Sequence, residues 1–281
     1  MTRCVDCASV RCVDRCRRCE RRRCTGEVRR FEGGPVMTRQ RSTPWLALGT
    51  GAVALAVYPA STLAGSLVGK TTFSDKNGPA EGRVKLKLDT DCTAANSGNA
   101  VGSEDVIVNK SDGTLRNVIV YVKNAPKRES AKDDETSQES IVLDQKGCTY
   151  HPHVLTLMTG RKLTVKNSDR MLHNIHGLPQ INPGFNLSQH FGATEDITFV
   201  KPEIFKVKCD VHPWMSAWIG VFNHPYHAVS DKDGAYRIDD LPAGDYEVVA
   251  VHEVYGEVTQ KVTVKDGEPA ELSFEIARPK K

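Results

Sequence analysis

From Ser66 onward the chain is a succession of short alternating stretches, each cut off by Gly, Asn, Asp or Pro. VIVNK and LRNVIVYVKN flank the turn SDGT, and VLTLM, GRKLTVKN, DITFV, IFKVKC and AWIGVFN follow. Side chains in a strand alternate between two faces, so a period of two marks a sheet with one face buried. No stretch carries an apolar helical period long enough to specify a helix. Short strands at this spacing predict an all-β chain built as an antiparallel sandwich or barrel. Residues 89–104 (DTDCTAANSGNAVGSE) and 126–140 (PKRESAKDDETSQES) break the rhythm and read as loop insertions. From about His224 the strand-and-turn pattern starts again and predicts a second, smaller β-sandwich over 224–281. That stretch is short for burying two sheets. It is expected to borrow a strand from WIGVFNHPYHAV or from the earlier GKTTF segment.

The first 64 residues differ in kind. Residues 1–36 hold ten Arg and six Cys, with C-x2-C pairs at Cys4/Cys7 and Cys16/Cys19. Such pairs suit tetrahedral zinc. The segment has almost no apolar residues to pack around a metal, however, and it precedes what reads as an export signal. The reading adopted is a disordered upstream extension, with the true start at Met37. Residues 37–64 place two arginines ahead of an apolar run that ends in small residues, the layout of a secretory signal peptide. Cleavage is expected after Ala64. An uncleaved anchor is the alternative, since Trp45 to Ala64 is long enough to cross a bilayer. Either way the protein is expected to be periplasmic or secreted, with membrane proximity if the anchor is kept.

Without those residues, 65–281 carries 26 basic and 30 acidic side chains and no basic stripe, which argues against a nucleic-acid partner. The exported part contains Cys92, Cys148 and Cys209. An oxidising compartment favours pairing. Cys92 and Cys148 lie in turn-like contexts that suit a staple between loops, which leaves Cys209 as the odd thiol.

Cys209 opens CDVHPWM, where a thiolate, an imidazole (His212) and a thioether (Met215) fall within seven residues. One loop cannot surround an ion, so a second imidazole must come from another strand end. KLTVKNSDRMLHNIHG offers His173 there. One thiolate, two imidazoles and a weak thioether form the donor set of a type 1 copper site. The plainer reading is a core Cys and Met beside an ordinary His.

HNIH and CDVHPWM resemble the two ligand segments of the cupredoxins, the amicyanin/plastocyanin-like members in particular, over roughly 161–222. The resemblance implies a Greek-key cupredoxin β-sandwich over 65–223, with one type 1 copper ion held by His173, Cys209, His212 and Met215. It also implies that the N–H of Asn174 points at the thiolate. Pro213, which has no N–H, withholds a second donor, so a moderate potential is expected. Asp210 stands where that family has Thr, which alters the hydrogen bonding there. The ring edge of His212 would pass the electron, with Trp214 and Trp218 either core or a docking patch. His176 is expected to be structural, and a second metal site built from His151, His153, His224 or His227 is a minor alternative. LPAGDYEV resembles the carboxypeptidase regulatory-like family, a transthyretin/Ig-like β-sandwich, and 224–281 shows no catalytic constellation.

The function these resemblances imply is an exported blue copper protein that carries single electrons. Its partners would be periplasmic or membrane-bound redox proteins such as a cytochrome or a membrane oxidoreductase. No enzyme activity and no small-molecule substrate are expected. Two alternatives stay open: a copper-binding or delivery protein without redox turnover, and a secreted β-sandwich binding module with a vestigial copper site.

Overall fold

The computed structural model of the protein describes residues 64–74, 84–126 and 140–279. The expectations for 1–36, for the apolar run ending at residue 63 and for most of the 126–140 insertion lie outside these residues. In chain order the elements are β1 (Gly65–Phe73), α1 (Thr90–Ala95), β2 (Ile119–Val122), β3 (Ile141–Lys146), β4 (Thr149–His151), β5 (Val154–Met158) and β6 (Lys162–Asn167). They continue as β7 (His173–Gly177), β8 (Phe185–Gln189), β9 (Thr194–Thr198), β10 (Glu203–Lys208), β11 (Ser216–Phe222) and β12 (His227–Val229). The last are β13 (Ala235–Leu241), β14 (Gly244–His252), β15 (Gly256–Val264), β16 (Pro269–Glu271) and β17 (Phe274–Ile276).

The alternation in the sequence becomes burial. In β10, Phe205 and Val207 point inward while Lys206 and Lys208 lie on the other face; in β6, Leu163 and Val165 are buried. Each fully buried apolar side chain of this size contributes about 1.5–3 kcal/mol. One sandwich packs the sheet β5-β11-β10-β7-β8 against β4-β3-β6-β9. Its strand order is crossed, with parallel pairs β3–β6 and β5–β11. Its core runs from Leu143, Leu157 and Phe205 to Cys209 and Met215.

The second sandwich packs β13-β1-β16, with β17 also on β1, against β12-β2-β14-β15 around Leu67, Val120, Ile238, Val248 and Phe274. Two of its strands, β1 and β2, come from the 65–223 range; β1 contains GKTTF, one of the two segments expected to be lent, whereas β2 was not expected to be. The division at 224 is therefore corrected: the C-terminal residues bury both of their sheets only by enclosing β1 and β2. GKTTF lies in β1, whose partners are β13, β16 and β17. The fit is close, because a Cβ at Gly69 would stand 1.6 Å from the carbonyl oxygen of Leu272. A seam of Ile119, Val154 and Phe222, with Tyr121, Trp218 and Val229 against it, joins β2 and β12 to β5 and β11. Both sandwiches belong to one compact unit.

The 89–104 insertion is not wholly loop. Asp89 caps α1 by accepting the Cys92 N–H at 2.8 Å, and the Cys92 side chain is buried in the first core. A six-residue helix is too short to show a period, which is why the sequence pattern missed it.

Candidate metal centre

His173 opens β7 and is positioned by pairing on both sides, to β8 through His173↔Gln189 and to β10 through Lys208↔His176. Cys209 follows the last residue of β10. The loop 209–215 closes on itself: the Cys209 N–H donates to the Met215 carbonyl (3.1 Å), and the Met215 N–H donates to the His212 carbonyl (2.9 Å). Adjacent antiparallel strands thus bring the two segments to one end of the sandwich. Nδ1 of His173 and Nδ1 of His212 stand 2.8 Å apart, and Sγ of Cys209 lies 3.8 Å from Nδ1 of His212. The three donor atoms lie within 4.8 Å of one another, and all three residues are buried. Met215 is buried in the same core.

The tautomer of His173 follows from its other nitrogen. Nε2 lies 3.0 Å from the Asp169 carboxylate, which only accepts, so Nε2 keeps its hydrogen and Nδ1 is the nitrogen that can present a lone pair to an ion. Asp169 is itself held by the N–H groups of Gly147 (2.7 Å) and Cys148 (2.8 Å). Nδ1 of His173 therefore meets Nδ1 of His212 in a buried space that also contains a thiol. A shared cation satisfies both nitrogens and the sulfur together. The donor set fits copper: sulfur suits Cu(I), and imidazole also suits Cu(II).

The electrostatics describe the site before an ion enters, when His173 holds a second proton at neutral pH that a metal displaces from Nδ1. Burial works against the Cys209 thiolate, but His173 and the backbone N–H groups of Asn174, His212 and Val211 outweigh it and lower the thiol pKa. Burial likewise opposes charge on His173, yet Asp169 and Cys209 raise its pKa to about 9. His212 shifts down, through burial and then the charge on His173. The Asp210 carboxyl is held well below the usual range, first by Lys208 and then by Asn186, His176 and Asn174 against a smaller opposing effect of burial.

Asn174 ties the two ligand segments together. Its Oδ1 accepts the Asp210 N–H at 2.7 Å and lies 3.3 Å from Sγ of Cys209. Its Nδ2 donates to Asn186 (2.7 Å) and to Asp210 (3.1 Å), and its carbonyl accepts the Tyr150 hydroxyl at 2.5 Å. The sequence reading gave Asn174 only a backbone role; the side-chain role became visible with the fold. His176 pairs with Asp210 at 2.9 Å. Pro213 sits inside the closed loop, where it donates no hydrogen bond.

Three neighbours of the centre escaped the sequence reading. Asp169 is one; the only local signal was an acid four residues before His173. Asp89 is the second, at 3.5 Å from Nε2 of His212. The third is the Cys92–Cys148 disulfide, formed as expected, whose sulfurs fall within 4.8 Å of the ring nitrogen of His212. Met171 places its sulfur 3.3 Å from that of Cys148. Both indole N–H groups are used internally, Trp214 donating to the Cys148 carbonyl (3.1 Å) and Trp218 to Glu253 (2.7 Å). The exposed apolar side chains beside the ligands are instead Leu172 and Val211.

The other histidines are dispersed. His151 bonds Thr149 and the Lys146 carbonyl, and His227 bonds Thr156. The ring centres of His224 and His227 stand 6.4 Å apart. Among the described residues, of these four only His153 stands in a cluster of metal donors, with Asp105 and Glu253.

Residues 216–277 match the family model of the carboxypeptidase regulatory-like domain. That span begins in β11, a strand of the first sandwich, and runs through β17. No curated protein matches the chain. Among solved structures, the chain is similar to a copper-containing nitrite reductase from Thermus scotoductus SA-01 at 23% identity and TM-score 0.28. That likeness covers 30% of this chain and 22% of the reductase. It is similar to amicyanin, in the oxidized state of a mutant, at 23% identity and TM-score 0.27, covering 31% and 87%. It is also similar to a purple cupredoxin from Nitrosopumilus maritimus at 21% identity and TM-score 0.26, covering 29% and 99%.

Proposed function

We propose that the protein is an exported type 1 copper protein that carries single electrons between redox proteins. The observation that carries this reading is the meeting of two imidazole nitrogens, one on each ligand segment, beside a buried unpaired thiol. Under it His173, Cys209 and His212 hold the ion in the sandwich end, with Met215 as the weak fourth donor. Copper there supplies a one-electron couple.

The chain's own contribution is rigidity. Asp169 fixes the ring of His173, the 209–215 loop closes through its own backbone, and Asn174 links residues on both segments. Ligands held in this way move little when charge changes, which suits electron transfer. A set of four protein donors leaves no position for a substrate, so the proposed activity is electron exchange with protein partners in the periplasm or outside the cell, and not catalysis.

The test is the visible spectrum of the copper-loaded protein, wild type against Cys209→Ser. Intense thiolate-to-copper absorption that bleaches reversibly on reduction, and is lost in Cys209→Ser, is the expected result. Copper bound without that band would point to a holding or delivery protein. No stoichiometric copper would leave a binding module with a vestigial site.

A further inference from the structure

His153, Glu253 and Asp105 meet at the junction of the two sandwiches, away from the soft donors of the 209–215 loop. His153 directly precedes β5 of the first sandwich, and Glu253 directly follows β14 of the second. Nδ1 of His153 lies 3.0 Å from the Ser216 carbonyl, which only accepts, so Nδ1 carries a hydrogen and Nε2 is the nitrogen able to ligate once its proton is displaced. Nε2 faces Oε1 of Glu253, and an Asp105 carboxylate oxygen lies within 4.8 Å of both. His153 is 6% exposed and the Glu253 side chain 7%.

A proton on Nε2 joins the ring to Glu253 alone, while Asp105 is held separately by the Ser103 hydroxyl at 2.7 Å; an ion at the centre joins all three groups. Donors about 2 Å from one ion stand roughly 3–4 Å apart, so an ion entering here parts the short His153–Glu253 contact while Asp105 stays within reach. Groups outside the cluster orient two of the donors. The Ser216 carbonyl sets the ring of His153, and the Trp218 indole holds Oε2 of Glu253 at 2.7 Å. Outer partners of this kind hold ligands in metal sites. Asp105 also borders a surface groove lined by Leu86, Ser103, Val254 and Tyr255, which gives an ion a way in.

We infer that Asp105, His153 and Glu253 form a second metal site, for a divalent cation of the zinc type, which clamps one sandwich to the other. One imidazole and two carboxylates, with no sulfur, favour a borderline divalent ion over Cu(I).

The experiment is equilibrium dialysis of the copper-loaded full chain against Zn2+, for wild type, Glu253→Gln and Asp105→Asn, with thermal melts as the control for folding. The expected result is one zinc per chain beyond the copper and beyond any zinc on the cysteines of 1–36, bound about tenfold or more weakly in each variant. The copper spectrum should stay unchanged, and the melting temperature of wild type should rise with zinc. Glu253→Gln keeps an acceptor for Trp218, and the Asp105→Asn arm stands alone if Glu253→Gln does not fold. Repeating the dialysis in Cys209→Ser separates the two centres: zinc that still depends on Asp105 supports this site whatever becomes of the copper reading. No such zinc on wild type, or zinc affinity in both variants equal to that of wild type, overturns the proposal.

Discussion

The Asp169 carboxylate stands 3.0 Å from Nε2 of His173 and thereby decides that Nδ1 is the nitrogen turned toward His212. Asp169→Asn offers an amide whose oxygen and NH2 can exchange places, so the tautomer is no longer enforced. Copper affinity is expected to fall by about tenfold to a hundredfold, measured by competition with a chelator, while the thiolate absorption survives in the fraction that remains loaded.

Asn174→Ala removes the acceptor of the Asp210 N–H and the donor to Asn186. Part-buried groups left unpaired cost about 1–3 kcal/mol. A lower melting temperature of the apo-protein is expected, together with a shifted copper absorption maximum, because Asn174 also faces the Cys209 sulfur.

Pro213→Ala introduces an N–H into the loop between His212 and Trp214. A donor facing the thiolate withdraws electron density and favours Cu(I), so the potential is expected to rise above a moderate wild-type value. Potentiometric titration of both proteins checks this, and an unchanged potential would show that the new N–H points away from the sulfur.

Gly69→Ala would drive a methyl group into the backbone of Leu272, 1.6 Å from its oxygen. The pairing of β1 with the C-terminal strands cannot absorb that overlap without shifting. A loss of several kcal/mol, of the order of about 3 kcal/mol or more, is expected in denaturant unfolding.

His227 is partly buried, and burial, followed by the nearby His224, pushes its pKa down to about 4. Its Nε2 has no hydrogen-bond partner. The unfolded chain, with an ordinary histidine, binds the proton first on acidification. Stability is therefore intact above about pH 6.5 and declines as the pH falls towards 4, by at most about 3 kcal/mol. His227→Gln should flatten that part of the pH–stability profile, followed by thermal melts at a series of pH values.

Strand character was legible because its cause is local: alternating side chains such as Phe205 and Val207 must face a core wherever that core lies. The grouping of Cys209, His212 and Met215 was equally legible, since one short loop carries all three. The pairing of Cys92 with Cys148 followed from their turn-like contexts, which left Cys209 as the odd thiol of 65–281. A six-residue helix left no periodic trace, and the division at 224 failed for a different reason. GKTTF was among the strands expected to be lent, because the C-terminal stretch is short; which sheet NVIVYV joins is settled by competition among apolar faces, and nothing within it records the winner.

By itself the sequence determined which chemistry was on offer: an all-β pattern, one thiol left over among the three of 65–281, and imidazoles on two segments near strand ends. Only the tertiary structure decided which donors meet and which nitrogen each ring presents. Asn174 reaches Asp210 across 36 positions, and His153 reaches Glu253 across 100. Contacts at that separation exist only after the sheets have closed, because hydrogen bonds and ion pairs are short-ranged and the chain between them carries no record of their register.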